Sequence, residues 1–197
     1  MEWQKIKKLI KILLLSITVS CASAENIYTL IEKGNAHFEK GQYEEAAEFY
    51  SAAGEQIPDA AEPLFNKAAA LEKTEQTEKA IELYKQASTL TDDNTLTERI
   101  KFNLANAFYK KGTELVKTYA KAGIEEIKKA VGHYRSLLEM DPENKNAARN
   151  IEIAKLTIQQ INEEIQKQKE RQKQLQQLIK RLEKLRDDQK ELDLQNQ

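Results

Sequence analysis

The sequence predicts an all-α protein in which about three helical hairpins stack into a solenoid and are followed by one long helix with coiled-coil character. The first observation is composition, because three prolines and six glycines in 197 residues leave few helix breaks. The second is a repeat, since Ala46 and Tyr50 recur 34 residues later as Ala80 and Tyr84. The third is a polar C-terminal stretch with leucines spaced alternately by three and four residues.

The repeat has the properties of a helical hairpin. Gly41 marks the turn of the first hairpin, and Thr74 and Glu75 occupy that place in the second. Small residues such as Gly34 and Ala46 allow two helix backbones to approach closely, while aromatic residues fill the gaps between them. A 34-residue period with small and aromatic residues at these positions resembles the tetratricopeptide repeat, whose unit is a pair of antiparallel helices.

Three copies of this unit give the domain organisation. The first covers about 27–60, the second 61–94 and the third 98–144, within a repeat domain of residues 25–157. The third copy is about 13 residues too long, and its extra segment, 113–123, keeps apolar residues on a helical face. We therefore expect an extended hairpin that turns near Gly123, with a loop as the alternative.

Residues 158–197 form the predicted long helix, which is rich in Gln, Lys and Glu. After nine polar residues at 166–174, a short heptad seam follows: Leu175, Leu178, Leu182, Leu185 and Leu192. Three interpretations remain open at this point. The helix self-associates, docks onto a different protein, or stays a solvated single helix.

The first 24 residues have the layout of a secretory signal peptide. Four lysines precede an apolar run, 12–19, and Ala22-Ser23-Ala24 forms a small-residue cleavage box. The run is far shorter than the roughly 20 residues of a membrane-spanning helix, so an uncleaved anchor or a buried helix is the weaker alternative. The pattern predicts export to the periplasm or to the periplasmic face of a bacterial membrane.

Cys21, the single cysteine, allows two interpretations. It is either removed with the signal peptide, or it is lipidated and becomes the N-terminus of a lipoprotein. A membrane contact of the mature chain is expected only through such a lipid or through partner proteins.

Composition and motifs argue against an enzyme. Lys and Arg number 31 against 32 Asp and Glu, so the net charge of −1 gives no reason to expect a nucleic-acid partner. No HExxH, phosphate-binding glycine loop or GxSxG motif is present. The two histidines, His37 and His133, are isolated in the sequence and do not suggest a metal site. We expect no catalysis, no cofactor and no metal.

The resemblance to tetratricopeptide repeats implies where a partner would bind. In that family the first helix of each hairpin lines a concave groove. Carried over by position, this predicts thirteen groove residues, which are Asn35, Phe38, Phe65, Asn66, Lys73, Arg99, Phe102, Asn103, Asn106, Tyr109, Lys110, Arg149 and Asn150. Asparagine amides donate and accept hydrogen bonds, so they suit an extended peptide backbone, although they serve equally well as bridges between neighbouring helices.

The groove departs from one known pattern. Ile31, Phe65 and Phe102 stand where chaperone-type repeats that clamp C-terminal carboxylates carry lysines. We therefore expect a peptide or helix segment of another protein as the ligand, rather than a chaperone tail.

A narrower resemblance rests on the order of the motifs. A signal peptide is followed by Asn103-Leu104-Ala105-Asn106-Ala107, by Arg149-Asn150-Ile151-Glu152 and by the Gln-rich helix. This order resembles the repeat proteins of bacterial aerotolerance (Bat) operons. The resemblance implies partners among membrane proteins of the von Willebrand factor A type and a role in envelope stress resistance. Two alternatives stay open: a periplasmic cell-division or outer-membrane assembly scaffold, and an accessory lipoprotein that presents an enzyme partner.

Overall fold

A computed structural model describes residues 26–195, with side chains through residue 191. The predicted signal peptide, Cys21 and the side chain of Leu192 lie outside the described residues. The described part contains helices and no strands, as the sequence predicts. The helices are α1 (Ile27–Glu39), α2 (Tyr43–Gln56), α3 (Ala61–Lys73), α4 (Thr77–Thr89), α5 (Asn94–Leu115), α6 (Ala120–Met140) and α7 (Lys145–Gln195).

The helix ends have local causes in the sequence. The Asp93 carboxylate caps α5 by accepting a hydrogen bond of 2.7 Å from the backbone N–H of Leu96. The first two hairpins turn through left-handed backbone at equivalent positions, with φ of 77° at Gly41 and 62° at Glu75. Glycine adopts this conformation at little cost, whereas Glu75 does not. The second hairpin therefore forms the same turn with a strained residue.

Alternating small and large residues form the core. Ala46, Ala80 and Ala130 are completely buried, and each lies one helical turn before a buried tyrosine on the second helix of its hairpin. The alanines let the paired helices approach closely, and the tyrosine rings fill the remaining space. Each helix packs against its neighbours in the chain, so the hairpins form one continuous stack.

The third hairpin is extended, but its turn is not near Gly123. The chain leaves α5 after Leu115 and enters α6 at Ala120, so Gly123 lies inside a helix. A Cβ atom at Gly123 would lie 2.6 Å from the carbonyl oxygen of Gly112 and 2.7 Å from the backbone nitrogen of Val116. The prediction of a turn was wrong because this glycine permits a close helix–helix contact instead of a left-handed turn.

Helix α7 is continuous across the predicted domain boundary at 157/158. Ala147, Ile151 and Ala154 are buried in the core of the stack, and Ile158 and Ile161 still pack against its edge. From residue 166 onward every described side chain is exposed. The first part of α7 thus closes the stack, while the second part extends away from it as a single helix.

Candidate functional site

Ten of the thirteen predicted groove residues line three neighbouring hollows on one face of the stack. The hollows are formed mainly by the first helices of the hairpins and by α7. Asn103 lines two of them, and so does Asn106, so the three are contiguous. We call this continuous surface the groove.

The large hollow lies at the meeting of α1, α3 and α5 and has a volume of about 570 Å³. Phe38 forms part of the wall, and Ala69 is the smallest residue of the lining. Two lysines and two glutamates supply the charges. The full lining is Phe38, Ala69, Glu72, Lys73, Glu75, Tyr84, Asn103, Asn106 and Lys110.

The second hollow has a volume of about 330 Å³ and contains the aromatic residues of α3 and α5. Phe65 is only 3% exposed and lies beneath the guanidinium group of Arg99, 4.5 Å from the ring centre. Such a cation–π contact covers the ring. Phe102 is half-buried and packs edge-on against Tyr134, with ring centres 5.9 Å apart. Phe102 is therefore the accessible aromatic residue here, and Phe65 is mainly part of the core.

The third hollow lies between α5 and α7 and has a volume of about 230 Å³. Its lining is Asn106, Tyr109, Tyr134, Asn150 and Ile153. The Tyr109 hydroxyl lies 3.0 Å from the Thr157 hydroxyl and so joins the two helices.

Three of the asparagines predicted for the groove are held by the buried tyrosines of the second helices. The Tyr50 hydroxyl donates to Oδ1 of Asn35 at 2.7 Å. The Tyr134 hydroxyl donates to Oδ1 of Asn106 and accepts a hydrogen bond of 3.1 Å from Nδ2 of Asn150. Since a side-chain amide offers two donors and two acceptor sites, these bonds leave hydrogen-bonding capacity toward the groove. Asn35 and Asn106 therefore each join the two helices of one hairpin, and Asn150 joins α7 to the third hairpin. Asn106 and Asn150 still present polar atoms to a ligand.

In the second hairpin the buried tyrosine is paired with a carboxylate instead of an asparagine of its own hairpin. Ala69 stands where the first and third hairpins carry Asn35 and Asn106, so Tyr84 lacks that partner. Its hydroxyl donates instead to Oε2 of Glu72 at 3.1 Å and also bonds the Asn103 amide. A partly buried carboxylate is thereby placed in the floor of the large hollow.

Burial controls the ionisation of these groups. It raises the pKa of Tyr50 and of Tyr134 to about 12, and it raises the pKa of Tyr84 as well, with the nearby Glu72 carboxylate adding to the effect. All three hydroxyls remain protonated donors at neutral pH. Burial also raises the pKa of Glu72, and the Tyr84 hydrogen bond and the Lys110 and Lys73 ammonium groups partly oppose this.

Three predicted groove residues line none of these hollows. Asn35 is exposed beside Tyr50, Asn66 is half-buried in α3, and Arg149 is exposed on α7. The structure adds acidic residues that sequence reasoning missed: Glu72, Glu75 and Glu98. Glu72 was detectable, because it lies 34 residues after Phe38 and so occupies the same repeat position.

Other kinds of site are not apparent in the described residues. No group of three or more histidine, cysteine, aspartate or glutamate side chains between residues 26 and 191 is placed to hold a metal ion. No helix in this part of the chain is long and apolar enough to cross a bilayer.

Two family models match the chain, one described as TPR repeat over residues 34–75 and one as tetratricopeptide repeat over 61–94. The first two hairpins, which these models cover, match tetratricopeptide repeats. The described helices have the stacked-hairpin architecture of such repeats. No curated protein is significantly similar to it in sequence.

Solved structures share the fold at low sequence identity. MamA is 18% identical with a TM-score of 0.58, and the match covers 78% of this chain and 86% of that one. The first TPR of Spaghetti (RPAP3) bound to the HSP90 peptide SRMEEVD is 20% identical, with a TM-score of 0.55 and coverage of 69% and 95%. The Yersinia enterocolitica type III secretion chaperone SycD in complex with a YopD peptide is 16% identical, with a TM-score of 0.54 and coverage of 66% and 92%.

Proposed function

We propose that this tetratricopeptide-repeat chain is a non-catalytic scaffold that binds a short segment of another protein along the groove. The observation that carries the proposal is the continuity of the three hollows, which are joined through Asn103 and Asn106 and run across α1, α3, α5 and α7. The RPAP3 and SycD repeats were solved with peptides bound, which supports a peptide-like ligand for this chain as well.

The lining favours recognition of a backbone with an apolar anchor. Phe38 and Phe102 are half-buried, so each still offers ring surface to a ligand side chain. Amide groups beside them pair with the ligand backbone. Lys73 and Lys110 lie near Glu72 and Glu75, so the charges of the large hollow largely balance. We therefore propose an internal segment of the partner, anchored by one or two apolar side chains, instead of a strongly acidic C-terminus.

The test places a bulky side chain in the groove instead of removing a contact from it. Ala69→Arg adds a long side chain to the lining of the large hollow, at a partly exposed position, and keeps the Cβ of the alanine. Gly132→Arg, on the exposed surface of α6 where a new side chain meets open space, is the matched control. Wild type and both variants are used as bait on solubilised envelope proteins, and circular dichroism checks that each is folded.

We expect Gly132→Arg to capture the same proteins as wild type and Ala69→Arg to lose them. Phe102→Ala serves as a second variant, because aromatic anchors commonly supply about 2 kcal/mol or more of binding energy. If folded Ala69→Arg and Phe102→Ala both retain every wild-type partner, the groove is not the binding surface.

We further propose that the chain is exported and that its partners are envelope proteins, including membrane proteins of the von Willebrand factor A type that act in aerotolerance. The signal-peptide layout of residues 1–24 supports export, and the motif order that resembles the Bat repeat proteins supports these partners. The intact mass of protein recovered from the envelope fraction tests export. A mature chain beginning at Glu25, or at lipidated Cys21, agrees with the proposal, whereas full-length protein found only in the cytoplasm contradicts it.

A further inference from the structure

The second half of α7 has an apolar stripe that the rest of the described chain leaves uncovered. Its side chains are between 46% and 62% exposed, namely those of Leu175, Leu178, Ile179, Leu182 and Leu185. The leucines occupy alternating a and d positions of a heptad pattern, with Leu175 and Leu182 at a. A contiguous exposed apolar stripe of this kind marks an interaction surface.

The shape of the stripe indicates which kind of partner fits. Apart from Ile179, only the a and d positions are apolar, and nine basic and five acidic residues cover the rest of residues 166–191. A helix that lies on a membrane surface has a broader apolar face, whereas a seam of about two residues per heptad is the width that another helix covers. The seam therefore matches a two-stranded coiled coil, and a second copy of the chain carries the same seam.

The flanking charges distinguish the two possible orientations. In a parallel dimer each g residue faces the e residue of the next heptad on the partner. With Leu175 at a, position g is Arg181 and the following e is Arg186, so a parallel pair brings arginines together. An antiparallel pair instead brings g residues opposite g residues. One antiparallel register sets Arg181 of each chain against Asp188 of the other, with Leu182 packed on the partner's Leu185.

We propose that the exposed half of α7 forms an antiparallel homodimer in this register, with two symmetric Arg181–Asp188 ion pairs flanking the leucine layers. A shift of one heptad would set Arg181 against Arg181, so charge also fixes the register. At a rise of 1.5 Å per residue, the dyad between residues 183 and 184 lies about 26 Å beyond residue 166. The dimer thus holds two repeat domains roughly 50 Å apart, each with its own groove.

Such a dimer would present two grooves to one target. If the partner carries two copies of the recognised segment at a matching distance, the second binding event becomes intramolecular and the overall affinity rises well above that of one groove. This inference is independent of the proposed groove function, because the seam shares no residue with the groove.

Charge reversal tests orientation and register together, with sedimentation equilibrium of the full chain as the measurement. Arg181→Glu alone and Asp188→Arg alone should each raise the dimer dissociation constant about three- to tenfold, and the double variant should restore it, because the ion pairs reform with exchanged signs. Lys180→Glu, one residue earlier at the outward f position, makes the same charge change and should leave the dissociation constant unchanged. Leu182→Asp should abolish the dimer while the helical content of the repeats persists.

Other outcomes overturn the proposal. A lower dissociation constant for Arg181→Glu would indicate the parallel orientation. If the dimer is stable and neither single charge reversal changes its dissociation constant, the chains pair in a different antiparallel register. A chain that stays monomeric at millimolar concentration has no such dimer. If that monomer floats with vesicles of anionic phospholipid through the leucine stripe, the partner of the seam is a membrane surface.

Discussion

Adding one methyl group at two positions of the same helix should have opposite effects on stability. At Gly123 a Cβ would meet backbone atoms at 2.6 and 2.7 Å and the Cγ2 of Val116 at 2.4 Å. Backbone atoms cannot rotate away, so Gly123→Ala must push α5 and α6 apart. Overpacking of this kind costs about 1–3 kcal/mol, and the crowding places it at the upper end, while the better helix propensity of alanine returns about 1 kcal/mol.

Gly132 is the natural control. It lies nine residues later in α6, and a Cβ there meets nothing within 4 Å. Gly132→Ala keeps the gain in helix propensity without the steric cost and should stabilise the protein by about 1 kcal/mol. We therefore expect Gly123→Ala to lower the free energy of unfolding by about 2 kcal/mol and Gly132→Ala to raise it, a difference of about 3 kcal/mol between two identical chemical changes.

Urea unfolding followed by circular dichroism measures both values, and thermal melting should show shifts of opposite sign, each about 2–4 °C per kcal/mol. The double variant should give the sum of the two single effects, because no contact joins the sites. If both alanine variants stabilise the protein equally, α5 and α6 do not approach each other closely at Gly123, and the packing of the third hairpin is different.

Three further predictions address the turn, the groove floor and the tail. Glu75→Gly should stabilise the protein by about 0.5–1 kcal/mol in the same urea assay, because it removes a strained left-handed residue, whereas an unchanged midpoint would contradict a positive φ there. The pKa of Glu72 is higher in the folded protein than in the unfolded chain. The contribution of Glu72 to the free energy of unfolding should therefore fall as the pH rises from its pKa in the unfolded chain through its pKa in the folded protein. Glu72→Gln should lose that fall in a pH series of urea melts, and an identical pH profile would show that the carboxyl is not desolvated. Deleting residues 167–197 should leave the melting temperature of the repeats within about 2 °C, since every described side chain among them, 167–191, is exposed; loss of a cooperative melt would show that the tail packs back on the repeats.

The sequence predicts features whose causes are local or strictly periodic. The hairpin period is visible in Tyr50 and Tyr84, because the same space between paired helices recurs in each unit and is filled by the same residue type. The left-handed turn at Glu75 follows from its equivalence to Gly41. The groove face also follows from position within the unit, so most predicted groove residues lie together.

Individual roles within the groove were less predictable. Phe65 was predicted as a groove residue and lines the second hollow, but the Arg99 guanidinium covers its ring, and this contact joins side chains from two different helices. Glu72 was missed because its importance depends on the absence of an asparagine at position 69. Such effects arise where one repeat departs from the others; periodicity shows the position of the departure but not which side chains then come into contact.

The sequence by itself therefore determined the helical hairpins, their repeat and the long polar helix that follows, because these depend on spacing, turn residues and the alternation of small and large side chains. Tertiary structure decided what Gly123 does, which asparagines join helices through buried tyrosines, and how far along α7 the core continues. These features depend on distances between residues on different helices. A glycine that permits a left-handed turn and a glycine that permits close helix contact look identical in sequence, and only the packed hairpins distinguish them.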